Sequence, residues 1–407
     1  MQRNSKIRVR SMEDLDVSAF IEQQVQAVRE VLGQNKAIVA VSGGVDSTVS
    51  AVITHKAIGD NLVCLFIDDN FMRLGEAEQV KNLLTSEPLN MPLRILNERQ
   101  RFMEKLNGLS DAEEKRKAFR ETFYQTLRDA AEEEGCEYLI QGTIKADIDE
   151  TSVGIKTQHN ILEQIGIDPV EKYGFQVIEP LKSLYKYQVR EVARSLIIPP
   201  ELAERQPFPG PGLSIRVVGQ ITAEKLDELK KATFIVEEQL GPHSPSQYFA
   251  AIFSGDAPKE LKVLRRDAAE LLEFSENNVR SGMLAEKTTG IVNGKRAYGT
   301  LLTMALLDDS ERTIEPIYEQ LAKIRDYVFD NYPEATRLVL LIDKRDTPGY
   351  TVTIRAVKTK DYLTASIMHL PWTTLREAAS KIFDSCPTVG RVYYDLTPKP
   401  PATIEYE

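Results

Sequence analysis

The stretch from Lys36 to Gly59, KAIVAVSGGVDSTVSAVITHKAIG, does most to limit what this chain can become. A short apolar run, KAIVAV, enters a pair of glycines and leaves as a helical segment, which is a strand, a tight loop and a helix in succession. Further short β-branched or apolar runs follow: NLVCLFID, MPLRIL and EYLIQG. They alternate with helical stretches such as EAEQVKNLL and RKAFRETFYQTLRDAAEEE. That alternation predicts parallel strands joined by crossover helices, an α/β doubly wound parallel sheet up to about residue 200. Ahead of it, Phe20, Ile21, Val25, Val28, Val31 and Leu32 recur at helical spacing, with Gly33 in the C-cap position. A helix is therefore expected over residues 18–32.

At ERQPFPGPGLSIRVVG, three prolines and two glycines fall within six residues, so neither helix nor strand continues. An N-terminal tail is expected at 1–17, a first domain at 18–206 and an α+β domain at 207–407. In the latter, GKRAYGTLLTMALLDD followed by IEPIYEQLAKIRDYVF resembles DKRDTPGYTVTIRAVKTKD followed by TTLREAASKIF. Each has a basic turn, a strand opening at a tyrosine, an acidic stop and a helix, which fits either an internal duplication or a chance likeness of two strand–helix units. A half-covered sheet of this kind commonly pairs with a twin, so a homodimer is expected.

A formal net charge of −10 and a pI near 5.3 give no basic field for nucleic acid or an anionic membrane. A small-molecule substrate is favoured. The N-terminus MQRNSKIRVRS is basic but lacks an apolar h-region, and no apolar run reaches the roughly 18 residues of a membrane span, so a cytoplasmic protein is expected. Cys64, Cys136 and Cys386 are scattered, and His55, His159, His243 and His369 form no HExxH-type set. Neither a disulfide framework nor a transition-metal site is expected.

The loop itself suits an anion. The first N–H groups of a helix lack internal partners, and the aligned peptide dipoles favour negative charge there. Gly43 and Gly44 let backbone approach phosphate oxygens, and Ser42 and Ser47 add hydroxyls. Asp46 would repel a phosphate unless Mg²⁺ stood between them. The pattern is not GxxxxGK[ST], so the expected ligand is a nucleoside triphosphate with its metal, held without a Walker lysine.

The SGGxDS loop resembles that of the N-type ATP pyrophosphatases. In order along the chain, LFIDDNFMR, EEKRKAFRETF, LIQGTIKADIDETS, VIEPLKSLYKYQVREVA, RQPFPGPGL and KPPATIEYE all look like segments of guanosine monophosphate (GMP) synthetases. The resemblance implies an adenine nucleotide alpha hydrolase-like first domain and a dimerisation domain. The implied reaction is ATP-dependent amination of xanthosine monophosphate (XMP) to GMP through an adenylyl-XMP intermediate. Only about twenty residues precede the first helix, so the likeness is to the synthetase part alone, with ammonia from solution or a separate glutaminase.

Carried over by motif, Ser42, Gly43, Gly44, Val45, Asp46 and Ser47 would hold pyrophosphate and Mg²⁺, with Ile67 and Gly142 also lining ATP. Asp147 and Glu150 match acidic positions around metal and ATP, Asp46 and Asp147 being the expected metal ligands. Lys156 and Lys182 match phosphate-facing lysines, and His159 belongs to a lid over the site. Arg116, Arg391, Lys399, Ile404 and Glu405 match positions that contact the nucleotide substrate. Met72 and Tyr187 are read as packing.

Three departures stand out. The lid reads KTQHN, with Gln158 in place of a histidine. The TGIVNGKR strand has Val292 and Gly294 where polar residues are usual, and RQPFPGPGL has Gln206 for a histidine. These keep alternatives in view: adenylylation of another purine nucleotide, another nucleophile, or a catalytically silent nucleotide-binding protein. The extra sequence near 309–338 has no assigned role.

Overall fold

The computed structural model describes residues 15–152, 168–292, 295–360 and 363–407, with the side chains of residues 149–152 and 292 outside that description. The first sheet holds five strands: β1 (Ala37–Ala40), β2 (Leu62–Asp68), β3 (Arg94–Asn97), β4 (Tyr138–Ile140) and β5 (Gln176–Ile178). Their order is β3-β2-β1-β4-β5. Pairing of β1 with β2, β1 with β4, and β4 with β5 is parallel, as the alternation of apolar runs and helices predicts. The order reverses between β1 and β4, and such a switch point opens a crevice at the carboxyl ends of the strands. β5, the three residues QVI, has too short an apolar run to stand out in the sequence.

A helix covers Val17–Leu32, with the Asp16 side chain accepting from Ala19 N and the Gly33 N–H closing on Arg29 O. Another, Val45–Ile58, leaves the glycine loop and is buried on most sides, including Thr48, Ser50 and Thr54. Thr54 resolves its burial by donating to Ser50 O at 2.8 Å.

By contact the chain groups into two units. One takes residues 1–66, 80–94 and 130–205; the other takes 67–79, 95–129 and 206–407. The second unit is built on a sheet of eight strands: β6 (Gln247–Phe253), β7 (Lys259–Glu260), β8 (Val279–Val292), β9 (Lys295–Leu306), β10 (Ala335–Lys344), β11 (Tyr350–Lys358), β12 (Ser366–Ile367) and β13 (Val389–Asp395). β9 leads through the helix Tyr318–Asn331 to β10, which pairs with β9 in parallel. β11 leads through the helix Trp372–Ser385 to β13, again in parallel. These are the two segments whose sequences look alike, and the strands they end on meet as the antiparallel pair β10–β13. The residues near 309–338 thus supply the crossover of the first unit of the pair. Tyr318 stacks there against His369 at 4.2 Å and Trp372 at 5.4 Å.

At the centre of the second sheet lies a charge cluster. Asp395 on β13 accepts from Arg337 Nη1 on β10 at 2.8 Å, from Arg355 Nη1 on β11 at 2.7 Å and from Tyr406 Oη at 2.8 Å. All three charged side chains are fully buried. Burial alone would raise the Asp395 carboxyl, but Arg355 and Arg337 bring it below the usual range.

Asp69, just past β2, is buried and accepts from Phe71 N at 2.7 Å. Burial pushes its carboxyl up to about 7, aided by neighbouring Asp68 and opposed by Lys230. Between 3.8, its ordinary value, and about 7, the folded chain binds more protons here than the unfolded chain. Stability from this group therefore falls as pH rises through that window. Asp69→Asn keeps the turn and removes the titration, so its urea midpoint should fall less than the wild type's between pH 5 and pH 8; equal slopes would contradict the assignment.

Candidate functional site

The loop between β1 and its helix sits at the β1/β4 switch point. Val41 N still reaches Leu65 O at 2.7 Å, so the strand register carries into the turn. Gly43 then adopts φ +75°, a region only glycine enters freely. Gly44 caps the helix in extended conformation. Within the loop, Ser47 Oγ accepts from Ser42 N and lies 3.2 Å from Ser42 Oγ, while Thr48 Oγ1 donates to Gly44 O at 2.9 Å. The two serines brace the turn and keep their hydroxyls on its mouth.

Gly142, just past β4, closes the other wall. A Cβ there would fall 2.7 Å from Ser47 N and 2.8 Å from the Asp46 carbonyl carbon. That approach seats the backbone after β4 directly on the start of the helix.

Asp46 divides its carboxylate. Oδ2 lies 2.5 Å from Lys186 Nζ, whereas Oδ1 is buried with no hydrogen-bond partner among the described residues. A buried carboxylate oxygen without a donor is costly unless a ligand satisfies it. A divalent cation would do so. Among the described residues no group of three or more His, Cys, Asp or Glu gathers to hold a metal. One or two carboxylates completed by phosphate oxygens and water is the manner of Mg²⁺, and Asp46 fits it.

Asp147 lies in the first turn of the helix Lys145–Ser152, its Oδ2 accepting from Ile144 N at 3.1 Å, a reciprocal cap of the helix start. Lys182 is exposed in the turn after β5. Among the described residues Lys186, four residues on and opening the helix Lys186–Ser195, is the lysine that reaches the loop. No sequence pattern singled it out, although it stands in SLYKYQVRE close to Lys182. Ile67 is buried at the end of β2. Glu150's side chain, Lys156, Gln158 and His159 lie outside the described residues, as do Gly294 and the side chain of Val292.

The second unit carries its own charged constellation. Arg116, in the helix Ala112–Glu134, donates from Nη2 to Glu407 O. Burial, then the nearby Arg296, lowers its guanidinium below the usual range. Glu113 accepts from Tyr298 Oη at 2.7 Å and lies 3.4 Å from Arg296 Nη1. Glu405 is held by Arg216, and Ile404 lies in the hydrophobic core. Arg391 on β13 points Nη1 at Gly255 O, 3.4 Å away. Lys399 exchanges both backbone hydrogen bonds with Ala365. Gln206 is bound within the unit, donating to Glu237 and accepting from Tyr248 N, both at 2.9 Å.

The parallel sheet, its switch-point loop and an Asp46 oxygen without a partner among the described residues fit the class of PP-loop ATP pyrophosphatases. In agreement, the NAD synthase family matches residues 15–229, and the GMP synthase C terminal domain matches residues 328–406. The chain is 43% identical over 395 residues to the B-subunit of glutamine-hydrolyzing GMP synthase from Sulfurisphaera tokodaii, covering 96% of this chain and 99% of that one. It is 40% identical to the protein of that name from Saccharolobus solfataricus, covering 96% and 100%. An NMN synthetase structure from Francisella tularensis aligns over 53% of this chain and 92% of its own at 17% identity, TM-score 0.39. This chain belongs to the B-subunit family of glutamine-hydrolyzing GMP synthases.

Proposed function

We propose that this chain is the synthetase subunit that aminates XMP to GMP at the expense of ATP, with AMP and pyrophosphate as the other products. The observation that carries the reading is the Asp46 carboxylate at the helix start, one oxygen on Lys186 and the other buried without a partner among the described residues. The near full-length likeness to the GMP synthase B-subunits supports the choice of substrate.

O2 of XMP attacks the α-phosphorus of ATP, the α–β bridging bond breaks, and pyrophosphate leaves. Ammonia then attacks C2 and the C–O bond to AMP breaks, with loss of a proton from nitrogen. An oxygen left on a purine carbon is a poor leaving group, and AMP is a good one. The amides of Gly43, Gly44 and Val45, with Ser42 and Ser47, cradle the departing phosphates at the positive end of the helix. Asp46, with Asp147 and Glu150 beyond it, would hold Mg²⁺, which when bound offsets the charge that builds on the leaving pyrophosphate. Lys186 keeps Asp46 turned into the loop, and Lys156 and Lys182 add positive charge. Ile67 packs on adenine, Gly142 leaves room beside the phosphates, and His159 guides ammonia. Arg116, Arg391, Lys399, Ile404 and Glu405 recognise the mononucleotide.

On this reading the chain works as a cytoplasmic homodimer, with ammonia supplied by a separate glutaminase subunit. The test is the full chain with Mg-ATP, ammonium and XMP, following pyrophosphate and product mass. Equal amounts of pyrophosphate and GMP are expected, with none when EDTA replaces free Mg²⁺ or when glutamine alone replaces ammonium. Pyrophosphate without GMP, or equal turnover of other purine monophosphates, would overturn the reading.

A further inference from the structure

The segment Ile404–Glu407 alternates like a strand. Ile404 and Tyr406 enter the core, Tyr406 meeting Phe249 and Phe253 edge to face. Glu405 and Glu407 each meet a buried cation. Lys115 Nζ lies 2.5 Å from Glu407 Oε2, and Gly219 N donates to Glu407 Oε1 at 2.9 Å. Arg216 grips Glu405 with two parallel bonds, Nε to Oε2 and Nη2 to Oε1, both 2.9 Å, and Gln247 Nε2 adds a third at 3.2 Å.

The two pairs differ in exposure. Lys115 and Glu407 are 0% and 3% exposed, a closed structural contact. Arg216 is 1% exposed but Glu405 is 18%, so the Glu405 side chain, unlike that of Glu407, remains partly accessible. Arg216 also meets two aromatic rings, its guanidinium 3.8 Å from the Phe249 ring centroid and 5.1 Å from that of Phe208 in the PFPGPG turn. The ring contacts and the bidentate fork together restrict its orientation. An ionised carboxylate has about four acceptor positions. Arg216 and Gln247 take three, leaving one on Oε2.

We propose that Arg216 is a positioning residue for the acceptor nucleotide: it aims Glu405 so that one fixed lone pair meets a donor, either a ribose hydroxyl or a purine ring N–H. This rests on the proposed contact of Glu405 with the nucleotide. A mobile glutamate would have to be ordered on each binding event, and the arginine removes that cost beforehand.

The experiment is steady-state kinetics of the full chain with ammonium, Mg-ATP and XMP for wild type, Arg216→Met, Arg216→Lys, Glu405→Gln and the Arg216→Met/Glu405→Gln pair, with Tm for each. Arg216→Met should raise KM for XMP about 10- to 100-fold, with KM for ATP and kcat within about threefold. Arg216→Lys should recover part of the loss, and the double variant should be no worse than Glu405→Gln alone. An unchanged KM for XMP, additive losses in the double variant, or parallel losses in both KM values and kcat would overturn the proposal. A wild type that does not aminate XMP would instead refute the proposed function.

Discussion

Replacing Asp46 by alanine should cut pyrophosphate release about 100- to 1000-fold and leave the fold in place. Two roles compete for this residue, and magnitude separates them. As an acidic side chain in the first turn of the helix Val45–Ile58, it favours the helix by about 0.3–1 kcal/mol and has no cause to govern turnover. As the holder of a cation against phosphate, it governs turnover and hardly affects stability. The buried Oδ1, without a partner among the described residues, favours the second role, because a helix-start carboxylate needs no unsatisfied oxygen. Asp46→Asn keeps the shape and loses the charge, so it should be nearly as inactive. Activity within tenfold of wild type in either variant, or a Tm loss that accounts for the inactivity, would refute the metal role.

Asp395→Ala should destabilise the chain by about 3–5 kcal/mol, because it leaves Arg337 and Arg355 buried without their counter-ion. The network has nothing in reserve: Nε of both arginines already lacks a partner among the described residues. The same arginines donate to the backbone beyond β13, Arg337 Nη2 and Arg355 Nη2 both reaching Thr403 O at 3.0 Å, and Arg337 also reaching Glu405 O. Tyr406 would lose its acceptor as well. Urea unfolding measures the loss; a change below about 1 kcal/mol would mean the cluster is not paired as described. Asp395→Asn, which retains an acceptor, should lose less.

The first sheet and its loop were legible because their signals are local. KAIVAV, NLVCLFID, MPLRIL and EYLIQG became β1 to β4, and the glycine pair fell at the helix start. What escaped was long-range. Lys186 meets Asp46 across 140 residues of chain, and nothing in SLYKYQVRE distinguishes it from Lys182 except its place at the mouth of a helix. Arg216, Arg337, Arg355 and Lys115 are charged residues in apolar settings, where composition predicts solvent-facing positions. Each is buried because a carboxylate or a carbonyl distant in sequence receives it. The segment 95–129 joins the second unit for a related reason: Lys115 and Arg116 are bound to Glu407 nearly 300 residues later.

The close seating of Gly142 has a mechanical corollary. With backbone pressed on backbone, no compressible side chain separates the end of β4 from the first turn carrying Asp46 and Ser47. The acidic helix Lys145–Ser152 begins three residues later, its Lys145 N–H tied to Leu184 O, just ahead of Lys186. On the proposed reading, a shift of that helix would be felt directly at Asp46 and Ser47, the groups assigned to the triphosphate.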